Sequence, residues 1–75
     1  MKPSEIVKDR KYVGAFRDYE IVREVTDISN GSVYFVWNRT VGHEIIPVRG
    51  VLSRWEFADW AIRELGAGDI LDGDG

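Results

Sequence analysis

The sequence predicts a small, mainly β domain of the α+β class: a curved antiparallel sheet of three to five strands with one C-terminal helix. Two observations carry this reading. Runs rich in Val, Ile, Thr and aromatic residues, each of strand length, are separated by turn signals, the strongest being Asn30-Gly31. Near the C-terminus a single segment combines a helix start signal, a helical apolar period and a glycine stop.

Taken in order, residues 3–9 read either as one helical turn or as an extended lead-in. Tyr12 to Phe16 forms a short strand containing Gly14, with Arg17-Asp18 as the turn after it. Tyr19 to Ile28 carries Ile21, Val22, Val25 and Ile28, which also fit a helical period. The density of β-branched residues and the Asn30-Gly31 turn that follows favour strand. Ser32 to Arg39 is its hairpin partner, with Val33, Phe35 and Trp37 on one face and Ser32, Tyr34, Val36 and Asn38 on the other. After a turn at Thr40 to His43, Glu44 to Val51 is a further strand. Pro47 lacks an N–H, which places it at an edge or a bulge.

The helix is expected from Arg54 to Leu65. Ser53 and Glu56 have capping-box spacing, Leu52 and Phe57 are placed for a hydrophobic staple, and Gly66 suits the C′ position. At about 100° per residue, Trp55, Phe57, Ala58, Ala61, Ile62 and Leu65 share one broad apolar face. Asp59 and Arg63 make an i, i+4 pair on the other. Trp60 falls on the polar side, between Glu56 and Glu64. Either the helix lies in a groove that covers this ring, or Trp60 is an exposed anchor for a partner.

Composition narrows the function classes. The chain has 75 residues, no cysteine, one histidine and a net charge of −3. This length makes one domain, read as residues 1–66 followed by a flexible acidic tail over 67–75, where Asp69, Asp72 and Asp74 account for the whole net charge. Residues 1–66 balance 10 bases against 10 acids, with a local basic excess in residues 1–17 from Lys2, Lys8, Arg10, Lys11 and Arg17. Missing cysteines remove disulfides and thiolate chemistry and favour a cytoplasmic setting. No apolar run approaches the roughly 20 residues that span a bilayer, so no membrane association is expected.

The run from Tyr12 through Thr26 to Asn30-Gly31 and Val33-Tyr34-Phe35 resembles small uncharacterised bacterial proteins with an SH3-like barrel. Val51-Leu52-Ser53 followed by Phe57-Ala58-Asp59-Trp60-Ala61 is similar to their endings. The resemblance spans roughly residues 10–65 and implies a barrel-like sheet. It carries no catalytic or binding residue with it, and such barrels host many functions.

Catalysis fits poorly. His43 lies in a predicted turn, Ser53 is accounted for by its cap, and the glycines form no phosphate loop. Asp69, Asp72 and Asp74 lack the bidentate glutamate of a calcium loop, and neither a metal nor a cofactor is implied. The expectation is therefore a non-enzymatic protein–protein interaction module. Its contacts are Trp60, Glu56, Arg63 and Glu64, and its partner is an unknown protein or a second copy. The alternative is a nucleic-acid-binding module that uses Tyr34, Arg39, Arg17 and Lys11, where aromatic and basic residues interleave on the sheet.

Overall fold

In the computed structural model, which describes residues 1–66, a 3-10 turn at Pro3–Glu5 leads into β1 (Lys11–Phe16), β2 (Tyr19–Ser29), β3 (Ser32–Val41) and β4 (Glu44–Ser53). A short helix, α1 (Arg54–Trp60), then passes directly into β5 (Ala61–Leu65). The expected tail, residues 67–75, lies outside the described residues.

All five strands belong to one antiparallel sheet in the order β4-β3-β2-β1-β5. The first four form a meander because each link is two residues long: Arg17-Asp18, Asn30-Gly31 and Gly42-His43. Asn30 and Gly31 both have positive φ, 52° and 79°, as a type I′ turn requires. Arg17 also has positive φ, 58°, a conformation that costs a side-chain-bearing residue roughly 1–2 kcal/mol. The sheet is curved but unclosed, with β4 and β5 as its outer strands.

One face of the sheet wraps the core. Tyr12, Val25, Val33 and Phe35 pack there against Ile6, Phe57, Ala58 and Ala61. Phe57 is the hub, with ring centroids 5.7 Å from Tyr12, 5.5 Å from Phe35 and 5.3 Å from Trp60. The Tyr12 hydroxyl is buried with the ring and is satisfied locally. It donates to the Glu5 carbonyl at 2.9 Å and accepts from the Val7 N–H at 2.8 Å.

The helix is shorter than its period predicts. Ser53 caps it as expected: its Oγ accepts from the Glu56 N–H, and its own N–H donates to Glu56 Oε1, both at 3.1 Å. The helix then stops at Trp60 instead of Leu65, because Ala61 turns extended (φ −72°, ψ 127°) and joins β1 opposite Gly14. Residues 61–65 are better used as a strand, since without them β1 would present an unpaired edge. The Met1 ammonium donates to the Ala58 and Ala61 carbonyls at 3.0 and 3.2 Å, placing a positive charge where the helix leaves carbonyls unsatisfied. Gly66 therefore follows a strand, not a helix.

This truncation decides the places of two tryptophans: Trp60 takes the covered alternative, and Trp55, expected on the apolar face, does not reach the core. The buried residues Phe57 and Ala58 point at the core, and Trp55 and Trp60 lie about 100° or more to either side of that direction. On one flank Trp60 meets β1. On the other Trp55 meets solvent and is 75% exposed, not part of the core. Gly14 makes the difference, since a Cβ there would stand 2.3 Å from Trp60 Cε2 and 2.5 Å from the Trp60 carbonyl oxygen. The indole Nε1–H completes the seat by donating to the Ala15 carbonyl at 3.0 Å.

Two stability outcomes follow from this packing. Gly14→Ala should lower unfolding free energy by at least about 2 kcal/mol in urea titrations, because both backbone and indole obstruct the new methyl. Burial raises the Tyr12 pKa above its ordinary value near 10, so the folded state holds that proton more tightly than the unfolded chain. The stabilisation is complete below pH 10 and is lost as pH climbs through the folded-state value. Urea midpoints should therefore fall above pH 10 in the wild type and less steeply in Tyr12→Phe.

Candidate functional site

The β2 strand is shared between two half-sheets. Its first half pairs with β1, from Phe16–Tyr19 to Lys11–Glu24, and its second half pairs with β3, from Glu24–Val36 to Ser29–Ser32. Glu24 is the hand-over point. A register shift between Val25 and Asp27 bends the strand there, and Thr26 Oγ1 donates to the Tyr34 carbonyl at 3.2 Å across the irregularity. Beyond Glu24, residues 19–23 of β2 and 37–41 of β3 part company and share no ladder.

Between the parted segments lies a cleft of about 1080 Å³. Phe16, Tyr19, Ile21 and Trp37, with Val22, Val36 and Leu65, supply its apolar lining. The Phe16 ring is 5.9 Å from Tyr19 and 6.2 Å from Trp37, so the aromatics form one cluster, with Tyr19 56% exposed. Lys11, Arg17 and Arg39 bring positive charge to the same walls, and Glu20 and Glu24 bring negative charge. The Arg17 guanidinium lies 5.6 Å from the Phe16 ring centre, which keeps this cation beside the aromatic cluster.

The walls also carry open backbone groups. In a two-residue hairpin the residues flanking the loop exchange both backbone hydrogen bonds, and the pattern alternates from there. Tyr19, Ile21 and Arg23 thus face β1, as do the Val25 backbone groups, which bond Arg10 and Asp9 at 2.9 Å. Glu20 and Val22 face the cleft. By the same count Trp37, Arg39 and Val41 face β4, whereas Asn38 and Thr40 face the cleft from the other wall. Each wall is a short unpaired strand edge.

Arg23 of β2 does not line the cleft but turns toward the core beside it. Its guanidinium carbon lies 4.2 Å from the Trp60 ring centre and 4.6 Å from that of Phe35. Phe35 in turn rests on Gly50, where a Cβ would stand 2.6 Å from the ring. Burial lowers the Arg23 pKa, and its Nε has no hydrogen-bond partner. The two rings make up for that loss by cation–π contact.

The expected partner contacts do not share one face. Trp60 is half-buried on Gly14, and Glu56 is held in the capping box on α1. Arg63 and Glu64 lie on β5, and Glu64 Oε2 pairs with Arg10 at 2.7 Å. Asp59 is on α1 and Arg63 on β5, so the two are not i, i+4 neighbours of one helix. Of the alternative set, Lys11, Arg17 and Arg39 do converge on the cleft. Tyr34 sits apart, lining a second, smaller depression of about 400 Å³ with Thr26 and Arg49. Sequence reasoning missed Phe16, Tyr19 and Trp37 as a cluster, because only the parting of β2 from β3 brings them into one opening. His43 lies exposed in its turn.

Among the described residues no group of three or more His, Asp or Glu is gathered as a metal site, and no helix is long and apolar enough to cross a membrane. No protein-family model matches the chain, and no curated protein or solved structure shows significant similarity to it.

The two tryptophans give a direct test of this arrangement. Trp60→Ala should cost about 3 kcal/mol in chemical denaturation, whereas Trp55→Ala should stay within about 0.5 kcal/mol of wild type. Equal losses would mean that Trp55 is packed.

Proposed function

We propose that the protein is a small non-enzymatic protein-interaction module and that the cleft between β2 and β3 is its binding surface. The observation that carries this reading is the end of the β2–β3 ladder at Glu24–Val36, which leaves two strand edges facing each other beside an aromatic cluster. Interaction surfaces are rich in partly exposed aromatic and arginine side chains, and here Tyr19, Phe16, Arg17 and Arg39 supply them. The SH3-like description of the fold is part of the proposal. It is supported by the four-strand meander, the short helix after β4, and a fifth strand that returns to pair with β1.

Site-specific photocrosslinking tests the surface. With a benzophenone side chain at position 19, a discrete adduct should form in cells, and the same probe at position 34 should give none. Adducts from position 34 or 55 in place of 19 would move the binding surface elsewhere.

A second reading has one observation in its favour: Lys11, Arg17 and Arg39 gather with aromatics at the same opening, as single-stranded nucleic acid requires. On that reading a fluorescent oligothymidine binds with a log–log salt slope of about −2, roughly 0.7 for each of three phosphate contacts. Salt-independent or absent binding would remove it.

A further inference from the structure

The two walls of the cleft are unlike, and the difference identifies what fits between them. The β2 wall already belongs to a three-stranded arrangement with β1 and β5. The β3 wall, residues 37–41, belongs only to a two-stranded ribbon with β4, and residues 38–47 are exposed throughout. A two-stranded ribbon is marginal in water until a third strand joins it. Its outward backbone groups are those of Asn38 and Thr40, at uncharged positions, whereas those of the facing edge belong to Glu20, which is acidic, and Val22. Arg39 on the ribbon and Arg17 at the neighbouring turn line the same opening.

Resting on the interaction reading above, we propose that the partner enters the cleft as an added β-strand on the β3 edge. The strand is an extended peptide segment of about five or six residues, matching the length of that edge at roughly 3.3 Å per residue. Its alternate side chains are apolar and meet Phe16, Tyr19 and Trp37. An acidic side chain at one end meets Arg17 and Arg39. Glu20 disfavours the same acidic segment on the β2 edge, and the uncharged Asn38 and Thr40 leave the β3 edge as the wall it pairs with.

Selection of a displayed random twelve-residue peptide library on the full chain tests this, followed by affinity measurements on the enriched peptide. Enriched peptides should alternate apolar residues and carry Asp or Glu, and Tyr19→Ser should weaken binding at least tenfold. Thr40→Pro removes one cleft-facing N–H and leaves the β3–β4 ladder its bonds. It should also weaken binding at least tenfold, while Thr40→Val stays within threefold. N-methylation should weaken binding only at alternate peptide positions.

Failure to enrich any peptide, or binding indifferent to Tyr19→Ser, would overturn the cleft as the interaction surface and the added strand with it. Binding that depends on Tyr19 but tolerates Thr40→Pro and every N-methylation would overturn strand addition alone. Basic or non-alternating enriched peptides would overturn the stated chemistry. Displacement of the peptide by a fifteen-residue oligothymidine of higher affinity would give the cleft to nucleic acid. Amide spectra of each variant, compared with wild type, separate lost binding from lost folding.

Discussion

Arg23 holds the architecture at the point where it divides. Its guanidinium touches Trp60 on one side and Phe35 on the other, and each ring lies against a glycine, Gly14 of β1 and Gly50 of β4. The run of contacts from Gly14 through Trp60, Arg23 and Phe35 to Gly50 thus ties the β1–β5 side of the sheet to the β3–β4 side across the core. A leucine at position 23 would fill part of this space, but a planar cation stacks on both rings and still carries a polar edge toward water. The cost is a buried Nε without a partner. Phe57 stands behind the run in contact with both rings.

Next to this tie lie the division of β2 and the opening beside it. The strand changes neighbours at Glu24, the residue next to Arg23, and the two half-sheets diverge from there. A fully closed sheet would leave no edges and no cleft. This fold instead keeps two short edges beside a cluster of partly exposed aromatic rings and arginines. The positive φ of Arg17 belongs to the same pattern. Glycine would relieve the turn, yet arginine stands there, beside Phe16 at the mouth of the cleft. A local conformational cost coinciding with a candidate site is what a trade between stability and function looks like.

Much of the fold was legible in the sequence. The four hairpin strands, the Asn30-Gly31 turn, the inward face of Val33, Phe35 and Trp37, and the Ser53–Glu56 cap all follow from local chemistry that the structure retains. The helix end was not legible, because residues 61–65 fit a helical period while a free β1 edge, visible only in three dimensions, claims them as β5. The placing of Trp55 and Trp60 has the same origin. Counting residues 61–65 as helix draws the apolar face toward Trp55. Once they are removed, the two rings lie almost symmetrically about Phe57 and Ala58, and the missing side chain at Gly14 seats Trp60. For the site, charge and residue type did single out Lys11, Arg17 and Arg39, but their company of Phe16, Tyr19 and Trp37 depends on where β2 leaves β3.

The measurement closest to the centre of this account is native-state amide hydrogen exchange on the ligand-free protein. Glu20, Val22, Asn38 and Thr40 should exchange far faster than Ile21 and Arg39, their neighbours with ladder partners, because the cleft leaves the first group of amides open to water. Slow exchange at all four would show that β2 and β3 pair along their whole length in solution. It would contradict both the division of the sheet at Glu24 and the binding surface built upon it.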